Sequence, residues 1–428
     1  MLSASAPRRV AIVGGKRIPF ARSNTAYAEV SNQAMLTAAL QALVDQFGLA
    51  GERLGEVAAG AVLKHSRDIN LTREAVLSTS LSPETPAYDL QQACGTGLEA
   101  AILVANKIAL GQIDAGIAGG VDTTSDPPIA INEGFRHALL AANRARSLGG
   151  RLKALAGIRP GMLVRPELPR NAEPRTGLSM GEHCEAMAKR WGIGRAEQDA
   201  LAVASHRNMA AAYDRGDFDT LVTPFRGLTR DNNLRPDSSI EKLAKLKPVF
   251  DREHGTLTAG NSTPLTDGAA VVLLASEEWA KARGLPVLAY LRAGETAAVD
   301  FASGDEGLLM APAYAVPRML DKLGLTLQDF DFYELHEAFA AQVLCTLKAW
   351  EDPGFARDRL KRAAPPGAID RARLNVHGSS LAAGHPFAAT GGRILASLAS
   401  MIDRKGGGRG LISICAAGGQ GVVAVVEK

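Results

Sequence analysis

Apolar positions in the first 122 residues fall into two alternating rhythms. Short runs such as the one in "RRVAIVGGKRIPFAR" (8–22) read as a strand closed by a turn, and between such runs apolar residues recur at helical spacing. The clearest helix grows out of "LQQACGTGLEAA" (90–101). Leu98, Ala101, Ile102, Ala105, Ile108 and Ala109 share one face, and Gly111 can stop it. The block closes on the strand-like "DAGIAGGVD" (114–122). After Asp122 the rhythm breaks into a stretch rich in Arg, Pro and Gly, and regular alternation resumes only in "TLTAGNSTPLTDGAAVVLLAS" (256–276). From "LPVLAYLRAG" (285–294) a second α/β run continues to residue 428.

The two runs end alike, each placing a reactive residue at a helix start and following that helix with a strand. This predicts a duplicated α/β fold whose sites gather at strand ends. The expected division is a first domain of 1–122 plus 251–284, an inserted loop domain of 123–250, and a second domain of 285–428.

Composition narrows the function classes. A net charge of +3 argues against a general nucleic-acid binder. Four scattered cysteines (Cys94, Cys184, Cys345, Cys415), in a chain too large to need staples, point to reduced thiols and a cytoplasmic setting. No apolar run reaches the ~18 residues of a membrane span.

Candidate chemistry sits where strands meet helices. Cys94 lies just before a helix N-terminus, where unpaired N–H groups and the helix dipole favour a thiolate, although a lone cysteine also reads as a small buried apolar residue. "FDFYELHEAFAAQ" runs a strand into His336 and then a helix carrying Glu337 and Phe339. "GSSLAAGHPFAATGGR" puts His385 at a helix start, with Pro386 at a first-turn position and the helix expected over 388–402. "ISICAAGGQG" ends a strand in Cys415, followed by small residues whose backbone N–H groups can face a ligand. Singly, each also reads as structural. His65, His137, His206 and His254 have no comparable setting. No C-x₂₋₄-C or H-x₃₋₅-H spacing supports zinc, so no metal is expected.

Taken together, "ACGTGLEA", "HEAFAAQ", "GHPFAATGGR" and "CAAGGQG" resemble, in order, the four reactive segments of the thiolase family. The likeness extends to "VGGKRIPFAR" and to 244–270, hence to nearly the whole chain, and is greatest to the fatty-acid-oxidation branch with its trifunctional complexes. It implies a thiolase-like fold of two βαβαβαββ halves with an inserted loop domain. It also implies thiolytic cleavage of 3-oxoacyl-CoA, with CoA as substrate and no permanently bound cofactor. Cys94 would be the nucleophile, His385 the general base, Cys415 the acid that protonates the acetyl-CoA carbanion, His336 an oxyanion donor, and Ala417 a backbone oxyanion donor. Ser179, Met180, Arg235 and Thr263 would contact CoA. Three departures stand out: His336 replaces a frequent asparagine, Ser379 replaces a second glycine, and two alanines follow Cys415.

The rival readings are a biosynthetic acetoacetyl-CoA thiolase, a ketoacyl synthase, and a non-catalytic scaffold or lipid carrier. The glycines at 95 and 97 would let the helix start approach a thioester closely. Residues 131–170 carry eight arginines or lysines against two glutamates, interleaved with apolar residues. Such a segment suits contact with a hydratase/dehydrogenase α-subunit or the inner membrane face, beside a solvated helix face as the plainer reading. A homodimer or tetramer is expected.

Overall fold

The computed structural model describes residues 7–163 and 166–428. Val164 and Arg165 of the basic stretch, and the first six residues of the expected first domain, lie outside the described residues. The first run comprises β1 (Val10–Arg17), the two-residue β2 (Ala21–Arg22), α1 (Asn32–Phe47), β3 (Glu56–Ala59), α2 (Leu71–Leu77), β4 (Ala87–Asp89), α3 (Thr96–Ala109) and β5 (Ala115–Asp122). The chain then leaves the sheet through α4 (Glu133–Arg144), α5 (Leu148–Leu155), α6 (Pro160–Leu163), α7 (Met180–Trp191), α8 (Arg195–Asp214) and α9 (Ile240–Leu243). It returns as β6 (Thr266–Ser276) and α10 (Glu277–Ala282). The second run is β7 (Ala289–Ala298), α11 (Ala311–Leu323), β8 (Phe332–Leu335), α12 (Ala340–Glu351), α13 (Pro353–Asp358), α14 (Ser380–Ala383), α15 (Thr390–Lys405), β9 (Arg409–Ala416) and β10 (Gln420–Glu427).

Across the sheet the strands lie in the order β4-β3-β5-β6-β1-β7-β10-β9-β8, with β2 beside β6. The duplication is visible in this order. From the β1–β7 seam outward, each half has two antiparallel pairings (β1–β6–β5; β7–β10–β9) and then a parallel one (β5–β3; β9–β8). The first half adds β4 parallel to β3, whereas in the second the corresponding strand is a single bridge between Tyr333 and Leu374. The seam itself holds only two residue pairs, Ala11–Tyr290 and Ile12–Ala289.

Three apolar cores separate the layers. One packs α1 and α2 on the outer face of the first half, through Leu36, Leu40, Val57 and Leu273. A second packs α11 and α12 on the outer face of the other half, through Val316, Leu344, Leu411 and Val423. The third draws on both halves, joining Ile12 and Leu274 to Ile412 and Val422 around α3 and α15. A helix covered on all sides should lose its polar face. In α15 every residue from Thr390 to Ile402 is buried, and Gly406, in the left-handed region at φ 85°, caps its end. β6 is likewise buried along its whole length and is a near-continuous apolar run rather than an alternating one. By contrast, α4, α5 and α6 bury no residue.

Candidate active site

The turn before α3 is built to present one side chain. Thr96 accepts from the Gln92 N–H (2.9 Å) and donates to the Ala93 carbonyl (2.7 Å), tightening residues 92–96. Ala93 is held at φ 46°, a left-handed conformation unusual for a residue with a Cβ and typical of functional turns. Cys94 follows, two residues ahead of the helix. The glycines beside it serve packing. A Cβ on Gly97 would lie 2.6 Å from the Ala388 carbonyl oxygen, and one on Gly95 would lie 2.6 Å from Val422 Cγ2. The close approach is therefore between α3 and the start of α15.

His336 directly follows β8, and its backbone N–H donates to the Ser413 carbonyl (2.8 Å). The expected helix starts later than the sequence suggests. Glu337 and Phe339 precede α12, because the Glu337 carboxylate is occupied in accepting from Ser205 Oγ, Asn375 Nδ2 and the Leu381 N–H. His385 also departs from expectation. It follows α14 rather than a strand, and Pro386 caps a short 3₁₀ turn that leads into α15 at residue 390 instead of 388. Two distant groups set this turn: Thr266 Oγ1 accepts from the His385 N–H (2.7 Å), and Asp122 accepts from the Ala388 N–H (2.8 Å). Cys415 lies near the end of β9.

These elements bring Cys94 Sγ and one ring nitrogen each of His336 and His385 to within 4.8 Å of one another. The imidazole centroids are 4.1 Å apart. Each ring is oriented through Nδ1, His336 by Ser380 Oγ (2.8 Å) and His385 by Thr390 Oγ1 (2.5 Å). Each Nε2 is buried with no partner among the described residues. These three donors, one sulfur and two imidazole nitrogens, are of types that zinc accepts, a convergence the linear spacing did not reveal. A narrow cavity lined by Cys94, His385, Cys415, Ala417, Met180 and Thr263, among others, opens onto the cluster. A larger cavity of about 330 Å³ lies at the β1–β7 seam; its arginines pair with acids and it is lined by no cysteine, serine or histidine.

Burial dominates the electrostatics. It pushes the Cys94 thiol up to about 12, against the Ala417 backbone N–H, which favours the thiolate. The thiolate expected from a helix start is thus not the resting state, because desolvation outweighs the local donors. Burial and the Arg393 cation hold His385 down at about 3, and burial, His385 and Arg393 hold His336 well below the usual imidazole value. Cys415 is raised well above the ordinary thiol value by burial and by Cys94. At neutral pH the site is a set of uncharged thiols and imidazoles, able to hand a proton from sulfur to nitrogen once a substrate supplies the countercharge.

Of the four residues expected at CoA, Met180 and Thr263 line the cavity, Thr263 fixed by its hydroxyl donating to the Ala338 carbonyl (2.9 Å). Ser179 is engaged as the N-cap of α7 in a reciprocal capping box with Glu182. Arg235 is exposed, with its guanidinium on the Asn232 and Leu234 carbonyls. The pattern reading passed over Asp122, Glu173, Ser380, Thr390 and Arg393. Glu173, from the insert, accepts from the Gly418 N–H (2.7 Å) and so holds the loop that carries Ala417. A buried arginine inside the small-residue run "ATGGRILASLAS" was the one legible signal among them.

Residues 10–278 match the family described as "Thiolase, N-terminal domain", and residues 285–428 match "Thiolase, C-terminal domain". The chain belongs to the thiolase family. It is 43% identical over 425 residues to the 3-ketoacyl-CoA thiolase of Yersinia pestis (strain Pestoides F), covering 98% of this chain and 97% of that one. The fold is similar to that of the Bacillus anthracis acetyl-CoA acetyltransferase, with a TM-score of 0.82, 30% identity, and 99% and 100% of the two chains covered. It is also similar to human mitochondrial 3-ketoacyl-CoA thiolase in complex with CoA, with a TM-score of 0.81, 27% identity, and 98% of each chain covered.

Proposed function

We propose that this chain is a degradative 3-oxoacyl-CoA thiolase of fatty-acid oxidation, using CoA as substrate. The observation that carries the reading is the convergence of Cys94 with two neutral imidazoles whose Nε2 atoms have no protein partner. Cys94 gives its proton to His385 and attacks the 3-keto carbon. The C2–C3 bond then breaks, leaving an acyl thioester on Cys94 and the enolate of acetyl-CoA, which takes its proton from Cys415. The proton on His385 restores Cys415. His385 next takes the thiol proton of incoming CoA, whose sulfur displaces Cys94 from the acyl group, and Cys94 is reprotonated by His385. His336 donates to the substrate oxyanion during bond breaking, and the Cys94 and Ala417 backbone N–H groups serve the oxyanion of acyl transfer. Met180 and Thr263 line the pantetheine path, with Ser179 and Arg235 towards its outer, phosphate end.

Intact-protein mass spectrometry tests this with acetoacetyl-CoA and 3-oxohexadecanoyl-CoA. An acyl adduct should form on the native chain and disappear in Cys94→Ala. Absence of any adduct removes the reading and revives the scaffold. A strict preference for the C4 substrate moves it to the biosynthetic thiolase, and turnover of malonyl-ACP instead moves it to the ketoacyl synthase.

The assembly we read is a cytoplasmic homodimer or tetramer, with α4–α6 as its docking segment for a hydratase/dehydrogenase α-subunit or the inner membrane face. Leu148 and Leu152 there are 73% and 61% exposed, beside Arg144, Arg151 and Lys153. No described helix is long and apolar enough to cross a membrane.

A further inference from the structure

We infer that Ser380 and Arg393 set the tautomer of His336, so that its Nε2 carries the hydrogen and acts as a donor to the substrate oxyanion. The inference rests on the thiolase reading of the site and assigns two positioning residues to it.

Ser380 Oγ is within hydrogen-bonding distance of Arg393 Nη2 (3.0 Å) and His336 Nδ1 (2.8 Å). A guanidinium only donates, so Ser380 must accept from Arg393, and the hydroxyl's own hydrogen needs an acceptor elsewhere. Ser380 is fully buried, and His336 Nδ1 is the acceptor the described residues offer it. Were Nδ1 to carry a hydrogen, two donors would face one oxygen, and the serine hydrogen would be buried and unpaired, which is costly. The network closes only with Nδ1 accepting, which leaves the ring hydrogen on Nε2, a buried atom with no partner among the described residues. Burial, with His385 and Arg393 nearby, also disfavours a second proton on the ring, so His336 remains a neutral donor.

His385 has the opposite requirement. As a base its Nε2 must offer a lone pair, so its hydrogen belongs on Nδ1, facing Thr390 Oγ1. Two imidazoles 4.1 Å apart thus perform different tasks because different hydroxyls hold their Nδ1 atoms. An asparagine at 336 would not need this device, since its amide always presents N–H groups.

A double-mutant cycle tests the relay. Ser380→Ala should lower kcat for acetoacetyl-CoA thiolysis by about 10-fold or more with little change in KM, since losing one oxyanion donor costs on the order of 10²–10³. Ser380→Thr, which keeps the hydroxyl, should restore most of that rate. In a His336→Asn background, Ser380→Ala should have no further effect. Equal losses in both backgrounds would show that Ser380 merely supports the fold. An unchanged kcat in Ser380→Ala with unaltered thermal unfolding would overturn the relay directly. If Ser380→Ala does not fold, Ser380→Gly, which also removes the hydroxyl, takes its place, and full activity there counts against the relay. Acylation of Cys94 in the native chain is read in parallel. Its absence defeats the thiolase reading, whereas its presence with equal losses defeats only this inference.

Discussion

At the scale of single residues, the site departs most from what its sequence suggested at Cys94. A cysteine before a helix start reads as an activated thiolate, and the backbone N–H of Ala417 does favour that form. Burial opposes it more strongly. Because the folded thiol stays protonated up to about 12, the thiolate fraction should keep rising through the neutral and mildly alkaline range. Alkylation of Cys94 by iodoacetamide, followed on its peptide by mass spectrometry, should therefore accelerate roughly tenfold per pH unit from about pH 7 to about pH 9. A rate that levels off below neutrality would contradict the neutral resting pair. Cys415 permits a cleaner separation of steps. Cys415→Ala should slow exchange of the acetyl-CoA methyl hydrogens with D₂O by about 10²–10⁴-fold, the usual worth of a positioned acid or base, while Cys94 still becomes acetylated by acetyl-CoA. The residue types of this chemistry were readable in four short motifs. Ser380, Thr390 and Glu173 were not, since a serine, threonine or glutamate in a polar loop looks the same whether or not its hydrogen bond holds a catalytic group.

At the scale of elements, the decisive feature is the contact between the starts of α3 and α15, which brings Cys94 from one half towards His385 from the other. Gly97 makes that approach possible. Gly97→Ala would drive a methyl group against the Ala388 carbonyl and the Gly392 amide, and overpacking of this kind costs about 1–3 kcal/mol. Denaturant unfolding should show that loss together with a fall in kcat, because the displaced backbone carries the turn after His385. Glu173 acts similarly from the insert. Glu173→Ala should lower kcat by releasing the Gly418 amide; an unaltered kcat would show that the 417–419 loop needs no such hold. Periodicity located α3 because one of its faces is apolar over several turns. It misjudged the approach to His385, where the predicted strand survives only as the Leu374 bridge, because short apolar runs do not distinguish a strand from a buried loop.

At the scale of the whole molecule, the two half-sheets meet through only two residue pairs, so the central α3–α15 layer and its core do most of the joining. The exposed helices α4–α6 take no part in that core. Replacing Leu148 and Leu152 by serine should leave acetoacetyl-CoA thiolysis intact and reduce cosedimentation with anionic liposomes or copurification of an α-subunit. No change in either association would remove the docking role.

The sequence by itself determined the α/β alternation, the repeat of one architectural unit, the position of the long insertion and the four reactive segments. Each of these is local, carried by apolar spacing or by residue type within a few positions. Tertiary structure alone decided which protonation states those segments adopt and which hydrogen bonds orient them. Desolvation depends on everything packed around a group, and hydroxyl partners such as Ser380 and Thr390 acquire a role only once the fold places them against an imidazole.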